Sequence, residues 1–402
     1  MMIGVDEAYR IIQENVRALP PRTVGIKEAA GYCLAEDVVS DIDMPPYEKS
    51  AMDGYAVIAE DAVPGAELEM IENIAAGYVP TKTVRRGQVS KIMTGASVPP
   101  GADSVIKVEE TEALGTGRVR LLKEVKWGAN ICITGEDFKA CDIVLKKGKE
   151  LRPQEIGVLA MVGAKRVKVF STPRLGIIST GDELVGINKK PRAGQIRDSN
   201  SYSLYAQAVQ TRAHVELLGS ARDKKIEILS LLKKGLRRDI VLLTGGVSVG
   251  EYDIVVDVLQ EAGVEIFFHK VALRPGKPIV FGRSKQTLVF GLPGNPVATY
   301  VNFELFVRPT IRRMMGFEDE NAQRMVIKAE LEVDIARKRT RREYRPACLR
   351  MDSGRFYVAP VEWHGSADLL GATRGNSLLI LPEDKNPLSS GDEVDVMVTG
   401  EF

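Results

Sequence analysis

The stretch "DIVLLTGGVSVGEYD" (239–253) decides the fold. Ile240, Val241, Leu242 and Leu243 form a short unbroken apolar run, which reads as a buried strand. At Thr244 the character changes within one residue. Gly245, Gly246 and Gly250 alternate with small and hydroxyl side chains, among them Ser248, and the run closes on Glu251 and Asp253. A helix is predicted from about 253 to 262. Strand, glycine loop and helix in this order form the unit of an open parallel sheet, in which ligands bind beyond the carboxyl ends of the strands.

The same rhythm extends to both sides. Strands are predicted at 174–179, 214–218, 265–268, 279–281 and 288–290, and helices at 200–211 and 224–236. Asp198, Ser199 and Asn200 supply ready N-caps. A long helix follows "GLPGNP" (291–296). The pattern predicts a three-layer α/β/α unit with a mostly parallel sheet covered on both faces. Three strand ends carry glycine loops: "STGDE" (179–183, with Thr180 and Gly181), "TGGVSVGEYD" (244–253) and "GLPGNP", with Pro293, Gly294, Asn295 and Pro296. Successive backbone N–H groups ahead of a helix can hold a phosphate. The loops match neither Walker A nor G-x-G-x-x-G. Any one of them could be a tight turn that needs glycine for geometry alone; three in one sheet argue for a ligand.

Asp182, Glu183, Asp223, Glu251 and Asp253 all fall in predicted strand-end loops. Oxygen-rich groups of this kind suit Mg²⁺, although a cap or a solvated loop also explains each carboxylate singly. The segment "HKVALRPGKP" (269–278) places Lys270, Arg274 and Lys277 around a Pro-Gly turn. Acidic groups, a divalent cation and a cationic turn about one cleft fit phosphoryl or oxyanion chemistry.

The rest of the chain bounds the answer. Its 402 residues suggest two to four domains, and an apolar content of 44% provides several cores. A net charge of +1 gives no global pull toward nucleic acid or membrane, so any anion site is local. Cys33, Cys132, Cys141 and Cys348 form no C-x-x-C pair, and three histidines are too few for a Cys/His zinc site. Reduced cysteines and no secretory or membrane-spanning run lead us to expect a cytoplasmic protein. Near the N-terminus, Val5, Tyr9, Ile12, Val16 and Leu19 form one helical face that Pro20-Pro21 should end; it serves either a core or a dimer. Short β-runs dominate to about 140, a mixed pattern with a helix at 153–162 follows, and β-runs return from 318.

The chain resembles the molybdopterin molybdenumtransferase family and the related E domain of gephyrin. The resemblance rests on "DIDMPPYEKSAMDGYAV" (41–57), "IMTGASVPPGADSVIKVEE" (92–110), "GEDF" (135–138), "STGDELV" (179–185), "GQIRDSNSY" (194–202), "LLTGGVSVGEYD" (242–253), "ALRPGKPIVFG" (272–282), "GLPGNPVATY" (291–300) and "VEWHGSADL" (361–369). It implies a discontinuous first domain (1–43 and 141–171), an inserted β-rich domain (44–140), the α/β molybdopterin- and nucleotide-binding domain (172–317) and a C-terminal β-barrel (318–402). It further implies transfer of molybdate, or tungstate, to adenylylated molybdopterin with release of AMP, in a homodimer with a shared cleft and with a molybdopterin adenylyltransferase as a candidate partner.

The roles implied are residue-specific. Glu183, Asp223 and Asp253 would be essential acids, with Asp253 and Glu183 on Mg²⁺. The glycine loops would hold phosphates, and Arg274 and Lys277 the oxyanion, helped by Ser366. Asp53, Thr94 and Asp137 would reach the partner's cleft. Two departures stand out: the family's aromatic-x-Arg appears as "REYRPACL", with Arg345 one place early, and Ala298 stands where serine is frequent, with Thr299 next to it. The rivals are an adenylyltransferase acting on molybdopterin and a non-catalytic dimeric scaffold. The second predicts loss of the acidic residues, yet Asp53, Glu183, Asp223 and Asp253 are all present.

Overall fold

The computed structural model describes residues 2–115, 117–246, 254–336, 340–383 and 387–401. Ser248, Gly250, Glu251 and Asp253 lie outside the described residues.

The central unit contains β1 (Arg174–Thr180), α1 (Asn200–Gln210), β2 (His214–Ala221), α2 (Lys225–Gly235), β3 (Ile240–Thr244), α3 (Ile254–Glu261), β4 (Glu265–Lys270), β5 (Pro278–Ser284), β6 (Thr287–Leu292) and α4 (Pro296–Asn302). The strand order is β2-β1-β3-β6-β5-β4. The first four strands are parallel; β5 runs antiparallel to both of its neighbours. The reason lies in the alternation of β3. Ile240 and Leu242 enter a core with Leu204, Val301 and Phe306 on one face, while Val241 and Leu243 enter another with Ile228, Leu232 and Val258. Every residue of β3 is buried because helices cover both faces.

The order reverses between β1 and β3, which makes this the switch point of the sheet. Register places Ser179 beside Thr244 and Thr244 beside Leu292. The three glycine loops therefore leave adjacent strands at one level.

The N-terminal helix spans Val5–Glu14 and stops well before Pro20. Asn15 ends it: its Nδ2 donates to Ile11 O at 2.9 Å, a side-chain bond that competes with continuation of the helix. Val5 and Ile12 are buried against Phe303 and Met314, and Val16 and Leu19 pack on the same core, so the stripe serves the chain's own interior. Segments 24–38 and 145–169 share a separate core built on Val24, Leu34, Leu145, Leu159 and Val167. The strand Pro21–Gly25 pairs antiparallel with Arg166–Phe170 across the intervening region. Within it, Gly54–Leu121 carries a six-stranded sheet, and among the described residues of 44–140 the helices are single turns, whereas Pro153–Met161 is an α-helix.

In the C-terminal region, strands Val326–Leu331, Arg342–Asp352, Arg355–Pro360, Ser377–Leu381 and Glu393–Val398 pair in a ring and close a barrel. Two short helices, Asp319–Ala322 and Leu369–Ala372, interrupt the expected β pattern. The two-residue strand Leu273–Arg274 joins the barrel edge, Leu273 beside Arg342 and Arg274 beside Glu343, although its chain neighbours belong to the central sheet. Among the described residues no helix is long and apolar enough to cross a membrane.

Candidate functional site

The glycine loops line a cleft of about 570 Å³ at the switch point. Of the predicted residues, Thr180, Glu183, Asp198, Asn200, Thr244, Gly245, Gly246, Pro293, Gly294, Asn295 and Pro296 all line it. Gly245 has φ +94°, and a Cβ there would lie 2.2 Å from Thr180 O, so only glycine lets the β1 and β3 loops meet. The β6 loop closes in as well: a Cβ on Gly294 would sit 3.7 Å from Gly245 Cα. Asn200 ties these loops together, donating from Nδ2 to Thr244 Oγ1 at 2.9 Å and to Gly294 O at 2.8 Å. Thr180 Oγ1 and Asn200 Oδ1 are buried and have no hydrogen-bond partner among the described residues.

Asp198 lines the cleft, but its carboxylate is engaged by Ser201 N at 3.1 Å and Ser201 Oγ at 2.7 Å. It orders the start of α1. Gly181, Asp182 and Asp223 stand just behind the lining. Asp223 N donates to Asp182 Oδ1 at 3.3 Å, and the Asp223 carboxylate lies behind Gly246. Partial burial, then the like charges of Asp182 and Glu183, hold the Asp223 carboxyl above its ordinary range. Among the described residues no group of three or more His, Cys, Asp or Glu could hold a metal. One or two carboxylates with phosphate oxygens suffice for Mg²⁺, and a cation would relieve the repulsion raised at Asp223.

A second chamber of about 460 Å³ adjoins the first and shares Pro278, Pro293 and Asn295 with it. Arg274, Lys277 and Ser366 line it, and Lys270 does not. Lys270 ends β4 beside Pro278, and its carbonyl accepts from Ile3 N at 3.2 Å. Gly276 has φ +106°, and a Cβ there would meet Asn302 Nδ2 at 2.0 Å, so α4 braces the cationic turn. Ala298 lines this chamber, whereas Thr299 turns its hydroxyl to Pro293 O and to Asn295 O and supplies no donor to it. Arg345 is also absent from the lining: its Nε and Nη2 donate to Glu343 Oε1 at 3.1 and 2.9 Å.

Asp53, Thr94 and Asp137 line neither chamber of their own chain. Asp53 Oδ1 accepts from Thr94 N at 2.7 Å and from Thr94 Oγ1 at 2.8 Å, which holds this exposed carboxyl below its ordinary range. Asp137 N donates to Met44 O at 2.9 Å.

Three family profiles match the chain in order. They are the MoeA N-terminal region (domain I and II) at residues 3–163, a probable molybdopterin binding domain at 176–313, and the MoeA C-terminal region (domain IV) at 328–399. A molybdopterin molybdenumtransferase of Staphylococcus epidermidis is 34% identical over 404 residues, covering 99% of this chain and 96% of that protein. The Staphylococcus aureus protein of the same name is 33% identical over the same shares. The chain belongs to the molybdopterin molybdenumtransferase family. The molybdopterin biosynthesis MoeA protein of Pyrococcus horikoshii OT3 shares its fold, with a TM-score of 0.84 at 31% identity over 99% of this chain and 100% of that one. A molybdenum cofactor biosynthesis protein from Pyrococcus furiosus superposes with a TM-score of 0.61 at 23% identity and speaks for the fold alone.

Several residues in and behind this family member's cleft carry no sequence signal. Arg341 lines the second chamber, and Asn302 packs behind it against Gly276. Trp363 and His364, which line the second chamber beside Ser366, sit inside the quoted "VEWHGSADL" and could have been taken with it. Away from both chambers, buried Glu304 accepts from Gln207 Nε2 at 2.8 Å and from Arg324 Nε at 2.7 Å, joining α1 to the approach to the barrel.

Proposed function

We propose that this chain transfers molybdate, or tungstate, to adenylylated molybdopterin and releases AMP, completing the molybdenum cofactor. The observation that carries the reading is the two-chambered cleft, in which glycine loops on three adjacent strand ends open directly onto a cationic turn. The loops at 180–183, 244–246 and 293–296 present backbone N–H groups to the phosphates, and Thr180 Oγ1 and Asn200 Oδ1 complete the polar lining. Arg274 and Lys277 hold the oxyanion, with the Ser366 hydroxyl beside them. Holding both reactants in adjoining chambers turns an encounter in solution into a reaction between positioned groups. Glu183 and Asp253 would hold Mg²⁺, which when bound neutralises phosphate charge.

We also propose a cytoplasmic homodimer in which Asp53, Thr94 and Asp137 complete the partner's cleft. Their absence from their own cleft and the exposure of Asp53 support this. Mixing Asp53→Ala with Asp253→Ala chains should restore partial activity in heterodimers; no recovery would place both residues in one subunit's site. The central experiment is incubation with adenylylated molybdopterin, Mg²⁺ and each oxyanion, following AMP. Oxyanion-dependent AMP release is expected. Release of AMP that ignores the oxyanion would sink the assignment.

A further inference from the structure

The second chamber contains a cation that neither the motif nor the resemblance assigned. Arg341 lines it together with Arg274 and Lys277, and among the described residues no carboxylate does. Arg341 Nη1 donates to Leu273 O at 3.0 Å, the carbonyl that immediately precedes Arg274. The pairing of Leu273 with Arg342 and of Arg274 with Glu343 fixes the two arginines in one backbone frame.

Arg345 has a different task. It sits in mid-strand opposite Leu379, and both of its described donors go to Glu343, whose side chain is 2% exposed. Glu343 Oε1 also lies 3.9 Å from Arg274 Nε. A buried carboxylate with no matching cation would draw Arg274 toward itself and away from the chamber. Arg345 pairs with that carboxylate through Oε1, while Oε2 has no hydrogen-bond partner among the described residues, and Arg274 keeps its charge for a ligand.

We infer that Arg341 is the third oxyanion-binding cation of this chain, and that Arg345 is a positioning residue that acts through Glu343. The inference rests on the oxyanion reading above. A tetrahedral dianion can accept from a planar guanidinium fork at two oxygens while Lys277 acts as a point charge. Anchorage of Arg341 on Leu273 O lowers the ordering cost of presenting that fork.

Calorimetric titration of molybdate, with AMP in parallel, tests this on wild type, R341A, R341K, R345A and E343Q/R345A. R341A should weaken molybdate binding by about tenfold or more, as expected for loss of a hydrogen bond to a charged group. R341K should recover part of the loss, and AMP binding should stay within about twofold, since a partner of the second chamber leaves the glycine loops intact. R345A should weaken molybdate binding, and E343Q/R345A should regain most of it; the double variant also carries the test if R345A alone fails to fold. Molybdate binding by R341A equal to wild type overturns the role of Arg341. Molybdate binding by E343Q/R345A as weak as by R345A shows direct contact and overturns the role of Arg345. Wild type that binds AMP but no molybdate overturns the oxyanion reading itself, an outcome distinct from both.

Discussion

Asn295 Nδ2 donates to Ser366 Oγ at 2.9 Å, and Ser366 O accepts from Val297 N at 3.0 Å. The last loop of the central sheet and the segment ahead of the final barrel hairpin thus hold each other at the wall between the chambers. Asn295→Ala should weaken AMP and molybdate binding alike, by about two- to tenfold, the range for one net hydrogen bond. Lys277→Ala should weaken molybdate by about ten- to a hundredfold and barely affect AMP. Parallel titrations check both; an Asn295→Ala defect confined to one ligand would show that this contact is not shared.

Gly245→Ala should abolish AMP binding and lower thermal stability. Two costs combine: a positive φ, about 1 kcal/mol, and a Cβ driven against Thr180 O. Gly65→Ala provides the control, because Gly65 has φ +86° with nothing within 4 Å of the added carbon. Equal melting temperatures for the two variants would mean that the loops part without cost.

Asp223→Asn should stabilise the protein at pH 7 while removing activity. The Asp223 carboxyl titrates higher in the fold than in the unfolded chain, so its cost to stability is absent below the ordinary aspartate range. That cost grows as pH rises and is complete above the raised value. The melting-temperature gain of Asp223→Asn should therefore be present at pH 7 and vanish as pH falls below about 3.9. A gain that persists in acid would contradict this sign.

Glu304→Ala should cost about 3–5 kcal/mol, because it leaves buried positive charge unpaired. Arg324 Nε bonds Glu304 at 2.7 Å, and the nearby Arg308 is pushed down to about 10, first by burial and then by Arg324. Chemical denaturation followed by circular dichroism measures the loss. A change under 1 kcal/mol would mean that water reaches these arginines.

The central sheet was legible because its signal is local. The alternation of Val241 and Leu243 against Ile240 and Leu242, and the glycines after Thr244, each act within a few residues. The helix end at Asn15 was missed because one side-chain hydrogen bond outweighed an apolar period that continues past it. Sequence proximity points to Lys270 as a cleft cation, yet it ends β4 paired with Pro278 and is absent from the lining of both chambers. Arg341 and Asn302 were not legible: their meaning arises from contacts with Leu273 and Gly276, dozens of residues away in the chain for Arg341 and across a helix and two strands for Asn302.

The attachment of Leu273–Arg274 to the barrel edge has a mechanical consequence. Arg274 is held by the barrel, while Gly276 and the adjoining Lys277 are held by α4 and the central sheet. An oxyanion gripped by Arg274 and Lys277 would therefore tie the two domains to each other, and a molecule that spans both chambers would act as a clasp between them. Amide exchange along 272–278 should accordingly slow when both chambers are filled, well beyond the sum of filling each alone.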